Sequence, residues 1–182
     1  MKVTRTAIDG VLVIEPRVFG DERGFFLESY NKQAFDDAVG REVTFVQDNH
    51  SRSSKGVLRG LHYQVAPHAQ GKLVWVTQGC VYDVAVDLRR DSASFGRWVA
   101  QELSATNHKQ LWIPPGLAHG FLVTSESADF LYKTTMYYEP SAERSLRWDD
   151  ATLAIPWPDV GIAPVLSARD GAAAGLDNLP YD

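Results

Sequence analysis

Two histidines, an arginine and a lysine stand in apolar segments where a purely structural strand would need none of them. Arg59 and His62 lie beside glycines that let another group approach the backbone closely. His119 follows a Pro-Pro-Gly turn, in the kind of connection that often carries function. Lys72 opens an apolar run. We expect these segments to form the walls of one pocket.

Strand alternation indicates which of these side chains could face that pocket. Lys72 shares a face with Val74 and Val76, so its cation lies either in water at the strand end or inside a cavity. Tyr132 alternates with Phe130, which is typical of a core or interface residue. An arginine beside an apolar wall usually binds an anion. A lone histidine is more often structural, but two of five histidines lie in such segments, and we expect a cavity with proton-transfer groups.

A metal in this cavity is the alternative hypothesis. Metal-binding cupin barrels carry a His-x-His pair, a following Glu and a further His after a Pro-x-Gly turn, and His119 matches only the last part. His62 is followed by Tyr and Gln, and Lys72 occupies the region where the Glu would be expected. An ammonium group beside a divalent cation is electrostatically unfavourable, so we expect no metal. A site built from His62, His68 and His119 remains open.

Length, composition and charge limit the classes to which the protein can belong. A chain of 182 residues that is 45% apolar predicts one globular domain over 1–182. The net charge of −5 argues against nucleic-acid binding. Cys80 is the only cysteine, so no internal disulfide can form. Its apolar strand pattern predicts a small, buried hydrophobic residue. We see no secretory signal and no membrane span, and we expect a cytoplasmic protein.

The order of elements predicts an all-β fold, a cupin-like jelly-roll barrel with one or a few short helices. Asn31 and Gly40 are typical caps of a helix between them. We also expect a flexible loop at 51–55, a helical turn within 141–150 and a surface wrap from Ala151. Strands are expected at 10–14, 25–30, 43–50, 73–77, 81–88, 98–103, 110–113, 121–123 and 130–137.

A series of motifs, in order from about Ile8 to Asp170, carries a family resemblance. Its extent implies a jelly-roll core at about 8–170 and a C-terminal wrap or tail at 171–182. The chain closely resembles the dTDP-4-dehydrorhamnose 3,5-epimerases on the strength of Phe19-Gly20-Asp21-Glu22-Arg23-Gly24-Phe25-Phe26-Leu27-Glu28, Gln47-Asp48-Asn49, Leu58-Arg59-Gly60-Leu61-His62-Tyr63-Gln64, Gly71-Lys72-Leu73-Val74, Val81-Tyr82-Asp83-Val84-Ala85-Val86-Asp87-Leu88-Arg89, Ile113-Pro114-Pro115-Gly116-Leu117-Ala118-His119-Gly120-Phe121, Tyr132-Lys133-Thr134-Thr135, Tyr137-Tyr138 and Trp148-Asp149-Asp150. The resemblance implies a homodimeric jelly-roll enzyme of dTDP-L-rhamnose biosynthesis. It would convert dTDP-4-dehydro-6-deoxy-D-glucose to dTDP-4-dehydro-L-rhamnose, without a cofactor, by epimerisation at C3 and C5 through an enolate.

The resemblance also implies catalytic roles. His62 matches the general base, whose usual pKa near neutrality suits proton abstraction, and Asp170 matches the carboxylate that orients it. Lys72 matches the cation that stabilises the enolate oxygen. Tyr132 matches the acid on the opposite face, protonated at neutral pH. Asp83 is expected to support Lys72 or His119.

Substrate contacts carry over in the same way. The arginines Arg23 and Arg59, with His119, match contacts to the diphosphate or sugar. Phe26 is expected to stack on thymine, and Phe19 to contact substrate from the partner chain. The remaining predicted contacts are Glu28, Gln47, Asp48, Asn49, Tyr138, Glu143 and Arg169, the last standing where the family often has Lys.

Three alternatives remain open on sequence alone. A relative that epimerises only one centre, in an antibiotic deoxysugar pathway, would keep the same residues. A metal-dependent cupin oxygenase belongs to another class, and Lys72 argues against it. A non-catalytic sugar-nucleotide binding module would have no use for His62, Lys72 and Tyr132 together.

Overall fold

Two antiparallel sheets pack face to face in the computed structural model, which describes residues 1–179. Its strands are β1 (Lys2–Arg5), β2 (Leu12–Glu15), β3 (Val18–Asp21), β4 (Gly24–Leu27), β5 (Gln47–Ser54), β6 (Leu58–Gln64), β7 (Lys72–Gln78), β8 (Cys80–Asp87), β9 (Trp98–Ser104), β10 (Gln110–Ile113), β11 (Leu117–Val123), β12 (Ser127–Thr134) and β13 (Glu143–Ser145). The helices are α1 (Lys32–Val39) and α2 (Ala168–Gly171), followed by a 3₁₀ turn at Leu176–Asn178.

One sheet has six strands and the other has five. The six-stranded sheet runs β1-β2-β10-β7-β12-β5, and the five-stranded sheet runs β13-β6-β11-β8-β9. The main core lies between them, where Val74 and Phe130 from the first sheet meet Ala85, Leu103 and Phe121 from the second. Strand alternation accounts for this core, because every second residue of a strand faces the opposing sheet. The predicted all-β cupin-like jelly roll is confirmed.

Helix α1 covers the outer face of the six-stranded sheet. The Asn31 side chain caps it by accepting a hydrogen bond from the Ala34 amide at 3.1 Å, and Gly40 ends it in the left-handed conformation. Phe35 packs edge-on against Trp112 with ring centroids 5.2 Å apart. The predicted helix and both of its caps are confirmed.

The C-terminal segment covers the outer face of the five-stranded sheet. Leu153, Leu176 and Leu179 are buried there against Leu61 and Leu146. The wrap expected from residue 151 is therefore present, and it contributes core residues beyond 170 as well. The end of the predicted tail, 180–182, lies outside the described residues.

The expected loop at 51–55 is wrong for most of its length. Residues 51–54 belong to β5, which pairs with β12 from Ser54 opposite Ser127 to Gln47 opposite Thr134. The strand is polar because it lies at the edge of its sheet. Ser53 is nevertheless buried, since it faces the other sheet.

Four other expectations differ from the structure. The strand expected at 43–50 begins only at Gln47, because Val43 packs beneath α1 instead of joining the sheet. The segment 141–150 contains β13, paired with β6, and no helical turn appears in it. The strands expected to reach 30 and 137 end at Leu27 and Thr134.

Strands β3 and β4 form a hairpin that belongs to neither large sheet. Its aromatic side chains Phe19, Phe25 and Phe26 are exposed by 50%, 64% and 68%. Phe25 packs against His108, with ring centroids 4.8 Å apart. The hairpin thus presents an apolar surface that a single chain leaves uncovered. Within residues 1–179, no helix has the length and apolar character to cross a membrane.

Candidate active site

His62 and Asp170 meet at one wall of the space between the sheets. The imidazole Nε2–H of His62 donates to Asp170 Oδ1 at 2.5 Å. Asp170 is buried in α2, where its own amide donates to the Ser167 hydroxyl at 3.1 Å. Burial would raise the pKa of the Asp170 carboxyl, but its hydrogen bonds with His62 and Ser167 outweigh burial and hold that pKa below its usual range. A cavity of about 290 Å³ adjoins the pair.

Two glycines allow the backbones of β6 and β11 to touch beside this pair. Gly60 has a positive φ of 126°, and a Cβ placed on it would lie 2.6 Å from Gly120 Cα. No other residue type fits at that separation. The Gly60 amide also donates to Asp170 Oδ2 at 3.4 Å, so the close approach helps to hold the carboxylate. This explains the glycines of the motif around His62.

Lys72 lies on the opposite sheet with its ammonium group directed between the sheets. Its Nζ donates to the His62 carbonyl at 3.4 Å. Burial lowers the pKa of Lys72 to about 8, although the charges of Glu143 and Asp83 oppose that shift. The strand pattern allowed two positions for the Lys72 ammonium group, in water at the strand end or inside a cavity. The structure shows the second.

Tyr132 stands next to Lys72 on the same face of the six-stranded sheet. Its partner across the strands is Val74, two positions along β7 from Lys72. Burial raises the pKa of the Tyr132 phenol, and the charge of Glu143 adds to that effect. The side chain packs against the main core, 6.1 Å from the ring of Phe130. Tyr132 therefore lies on the inner face of the six-stranded sheet, opposite the sheet that carries His62.

His119 and Asp83 form a second buried pair. His119 lies opposite His62 in the pairing of β11 with β6, so both side chains face the same side of the sheet. His119 Nε2 lies 2.9 Å from Asp83 Oδ2, and Asp83 is fully buried. Burial raises the pKa of Asp83, against the lowering effects of His119 and Lys72. Asp83 therefore contacts His119 directly and acts on Lys72 only through its charge.

Glu143 contacts two polar side chains at the open end, or mouth, of the gap between the sheets. It accepts a hydrogen bond from the Tyr138 hydroxyl at 2.6 Å and forms an ion pair with Arg169. Burial would raise the pKa of Glu143, but these two partners outweigh it and the pKa is lowered. The charge of Glu143 also acts on Lys72 and Tyr132. Three of the predicted binding residues are therefore in direct contact.

Apart from the residues of the β3–β4 hairpin, the remaining predicted substrate contacts lie around this mouth. Asp48 is the one exception. Arg59 is exposed, and its Nε donates to the Ser53 hydroxyl at 3.0 Å. Gln47 donates to Asn49 Oδ1 at 2.9 Å, while the buried Asn49 Nδ2 has no partner within residues 1–179. Asp48 points to the opposite face, where Lys133 binds it at 2.9 Å. The structure does not bring Asp48 to the other site residues.

The hairpin residues are also separate from this cluster within one chain. Arg23 is paired with Asp21 on the hairpin itself. Glu28 follows β4 and accepts a hydrogen bond from Asn31 at 3.2 Å. In the described part of the chain, no hydrogen bond, ion pair or ring contact joins these residues, Phe19 or Phe26 to the His62 wall.

The model of one protein family matches this chain over residues 5–178, and that family is described as dTDP-4-dehydrorhamnose 3,5-epimerase. The chain belongs to the dTDP-4-dehydrorhamnose 3,5-epimerase family. A relative of that name from Salmonella typhimurium is 59% identical over 177 residues, which is 97% of this chain and 96% of the relative. The predicted family and isomerase class are confirmed.

Solved structures of two relatives share the fold. The dTDP-6-deoxy-D-glucose-3,5-epimerase of Legionella pneumophila, in complex with dTDP-4-keto-L-rhamnose, has a TM-score of 0.95 and 51% identity, over 98% of this chain and 94% of that one. A 3'-monoepimerase from Streptomyces bikiniensis, in complex with dTDP-quinovose, has a TM-score of 0.89 and 34% identity, over 94% of this chain and 86% of that one. The fold therefore accommodates both the double and the single epimerisation.

The possible metal ligands of residues 1–179 bear on the alternative hypothesis of a metal site. Among residues 1–179, no three His, Cys, Asp or Glu side chains converge where a metal ion could bind. His62 and His119 are each committed to a carboxylate. The arrangement gives no support to a site made of His62, His68 and His119.

Sequence reasoning missed the residues that hold the site residues in place. The sequence predicts a loop at Ser53, although the alternating pattern of β5 places it on the inner face. Ser167 had a detectable signal, because a Ser three positions before Asp170 is a typical helix cap. Gln64 lies within a motif that carries the resemblance, and the resemblance implies no role for it.

Proposed function

We propose that this protein converts dTDP-4-dehydro-6-deoxy-D-glucose to dTDP-4-dehydro-L-rhamnose by epimerisation at C3 and C5. The ketone at C4 acidifies the hydrogens at both positions. A base removes one hydrogen as a proton, an enolate forms, and an acid returns a proton from the opposite face. The sugar is neither oxidised nor reduced, so the reaction requires no redox cofactor.

The observation that carries this proposal is the placement of His62 and Tyr132 on opposing sheets. A sugar ring between the sheets has the imidazole on one face and the phenol on the other. Inversion of a carbon centre needs this arrangement, because the departing and the arriving proton are on opposite sides of the ring. Two groups on one wall would return the proton to the face it left.

The local contacts fit the two roles. With Nε2–H donating to Asp170, the lone pair of His62 is on Nδ1, where it can accept a proton from carbon. Asp170 stabilises the imidazolium that results. The raised pKa of Tyr132 keeps its hydroxyl protonated near neutrality, so it can donate to the enolate. Lys72, whose Nζ reaches the His62 carbonyl, stabilises the enolate oxygen as its charge develops.

Substrate binding follows from the groups around the mouth. Arg59, Arg169 and His119 supply positive charge or hydrogen bonds for the diphosphate and sugar. The unpartnered Asn49 amide and its neighbour Gln47 can bind polar edges of the nucleotide. Asp48 faces away, which argues against its direct contact with substrate.

The hairpin residues suit a site completed by a second copy of the chain. The exposed Phe19 and Phe26, with Arg23 at the tip, combine an apolar wall with a cation. These are the features that a thymidine diphosphate requires. We therefore propose a homodimer in which each hairpin closes the partner's site, with Glu28 as a further contact. The lack of any second cysteine suits a cytoplasmic enzyme.

Epimerisation at one centre only is the second candidate, favoured by the 34% identity to the Streptomyces bikiniensis 3'-monoepimerase. The 59% identity to the Salmonella typhimurium 3,5-epimerase favours the double reaction. Proton NMR of dTDP-4-dehydro-6-deoxy-D-glucose with the enzyme in D₂O separates the two. Deuterium at both C3 and C5 supports the proposal, whereas exchange at one centre supports the monoepimerase. Binding without exchange at either would overturn both.

A further inference from the structure

Gln64 is the last residue of β6 and belongs to the same strand as His62. Its side chain is buried, with only 5% of the residue exposed, and the mechanism above gives it no role. A buried amide of this kind costs stability unless its polar atoms find partners. The partners that Gln64 finds are all in the two loops that border the site.

Both ends of the Gln64 amide bind the main chain. Nε2 donates to the His68 carbonyl at 2.7 Å and to the Tyr137 carbonyl at 3.2 Å. Oε1 accepts a hydrogen bond from the Glu139 amide at 2.9 Å. The two contacts to residues 137 and 139 bracket Tyr138 on both sides.

Tyr138 lies in a segment that the sheets do not hold. Strand β12 ends at Thr134, so residues 137–139 have no strand partner. The Tyr138 amide instead donates to Gln47 Oε1 at 3.0 Å. Two glutamine side chains therefore replace a strand in fixing the backbone around Tyr138, and its hydroxyl reaches Glu143 at 2.6 Å.

We propose that Gln64 is a positioning residue that holds Tyr138 beside the bound sugar nucleotide. The inference rests on the proposed function, in which Tyr138 and Glu143 border the substrate. Gln64 does not touch the reacting atoms, and it acts on affinity through the backbone of residues 137–139. The contact of the His62 imidazole with Asp170 does not involve Gln64.

The test uses Gln64→Met, which keeps the length of the side chain and removes all three hydrogen bonds. We expect KM, and the Kd for dTDP measured by calorimetry, to rise about 5- to 20-fold, the effect of one or two lost hydrogen bonds. kcat should stay within about 3-fold, because the proton-transfer groups are not moved. Should this variant fail to fold, Gln64→Glu carries the same expectation, since it keeps the acceptor for Glu139 but loses both donors.

A double-mutant cycle with Tyr138→Ala separates positioning from general structural support. If Gln64 acts through Tyr138, its replacement in the Tyr138→Ala background should change the Kd for dTDP by less than about 2-fold. Independent effects that multiply in the double variant would overturn the proposal, as would a loss confined to kcat. Because dTDP binding needs no turnover, the cycle is readable even if the proposed reaction fails.

Ser125→Ala is the matched control. Ser125 also holds a loop, accepting from the Cys80 amide at 2.8 Å and donating to the Ser127 carbonyl at 2.7 Å, but at the other end of β12. It should lower the melting temperature and leave KM unchanged. A KM increase in this control equal to that of Gln64→Met would show that general loosening is sufficient, and would also overturn the proposal.

Discussion

His62 Nε2 lies 2.5 Å from Asp170 Oδ1, although 108 positions separate the two residues in the chain. His62 is part of a sheet, whereas Asp170 lies in the four-residue helix α2 outside both sheets. The orientation of the proposed base thus depends on a C-terminal segment that returns over the outer face of its own sheet.

Asp170→Asn should lower kcat by about 10²-fold or more, because the charge that stabilises the His62 imidazolium is lost while the shape is kept. Asp150→Asn is the control, since this buried carboxylate in the same segment accepts from the amides of Thr152, Leu153 and Leu176. It should reduce stability without reducing kcat. Steady-state kinetics and thermal melting of both variants provide the measurement. An Asp170→Asn enzyme within about 3-fold of wild type would contradict the proposed dyad.

The pH profile should have an alkaline limb from Lys72. Its pKa is lowered by burial to about 8, so the cation that stabilises the enolate is lost as the pH rises through that value. We expect kcat/KM to fall above that pH, and the limb to move to higher pH in Lys72→Arg, whose guanidinium stays charged. Lys133→Arg on the outer face should keep the wild-type limb. An unchanged limb in Lys72→Arg would exclude Lys72 as its source.

The same shift predicts an effect on stability. The folded-state pKa of about 8 lies below the ordinary value of 10.5, so between these values the unfolded state binds more protons. The contribution of Lys72 to the free energy of unfolding therefore rises with pH across that interval. Lys72→Met should remove this rise, which urea unfolding at both ends of the interval measures against wild type. Parallel pH dependences for the two proteins would refute it.

Tyr132→Phe should separate hydrogen exchange from inversion. His62 can still remove a proton and return one to the same face, but the donor on the opposite face is lost. In D₂O we expect label to enter the substrate while formation of the inverted product falls by about 10²-fold or more. Tyr137→Phe, at an exposed ring, is the control. Equal losses of exchange and inversion would argue against Tyr132 as the acid.

Ser53→Ala should weaken substrate binding through Arg59. The Ser53 hydroxyl on one sheet accepts from Arg59 Nε on the other at 3.0 Å, which limits the positions of the guanidinium. We expect KM to rise about 3- to 10-fold with kcat nearly unchanged, in line with the loss of one hydrogen bond to a charged group. Ser54→Ala, on the exposed face of the same strand, should have no effect. A loss in kcat alone would place Ser53 in another role.

Mixed dimers test the proposed exchange of hairpins. His62→Ala and Arg23→Ala should each be inactive or nearly so, but a heterodimer has one site free of both changes if the hairpin acts on the partner. Random mixing of equal amounts should then restore about a quarter of wild-type activity. Light scattering should give the mass of a dimer. No recovery on mixing, with exchange of subunits demonstrated, would show that Arg23 acts within its own chain.

The amino-acid sequence by itself determined the local elements and the sides that their residues face. Alternation placed Lys72 and Tyr132 on the same side as core valines and phenylalanine, and Asn31 and Gly40 defined a helix. These features depend on the chain's own periodicity and capping chemistry, which neighbouring residues specify. The motifs also identified the family, because they recur in order along the chain.

The tertiary structure determined which strands pair and which distant side chains meet. The polar residues of β5 became a strand only because β12 offers a hydrogen-bonding edge, and β13 formed in the same way beside β6. The meeting of His62 with Asp170 follows from strand register and from the return of the C-terminal segment. Such contacts join residues far apart in the chain, so their geometry arises when the sheets pack and cannot be deduced from local periodicity.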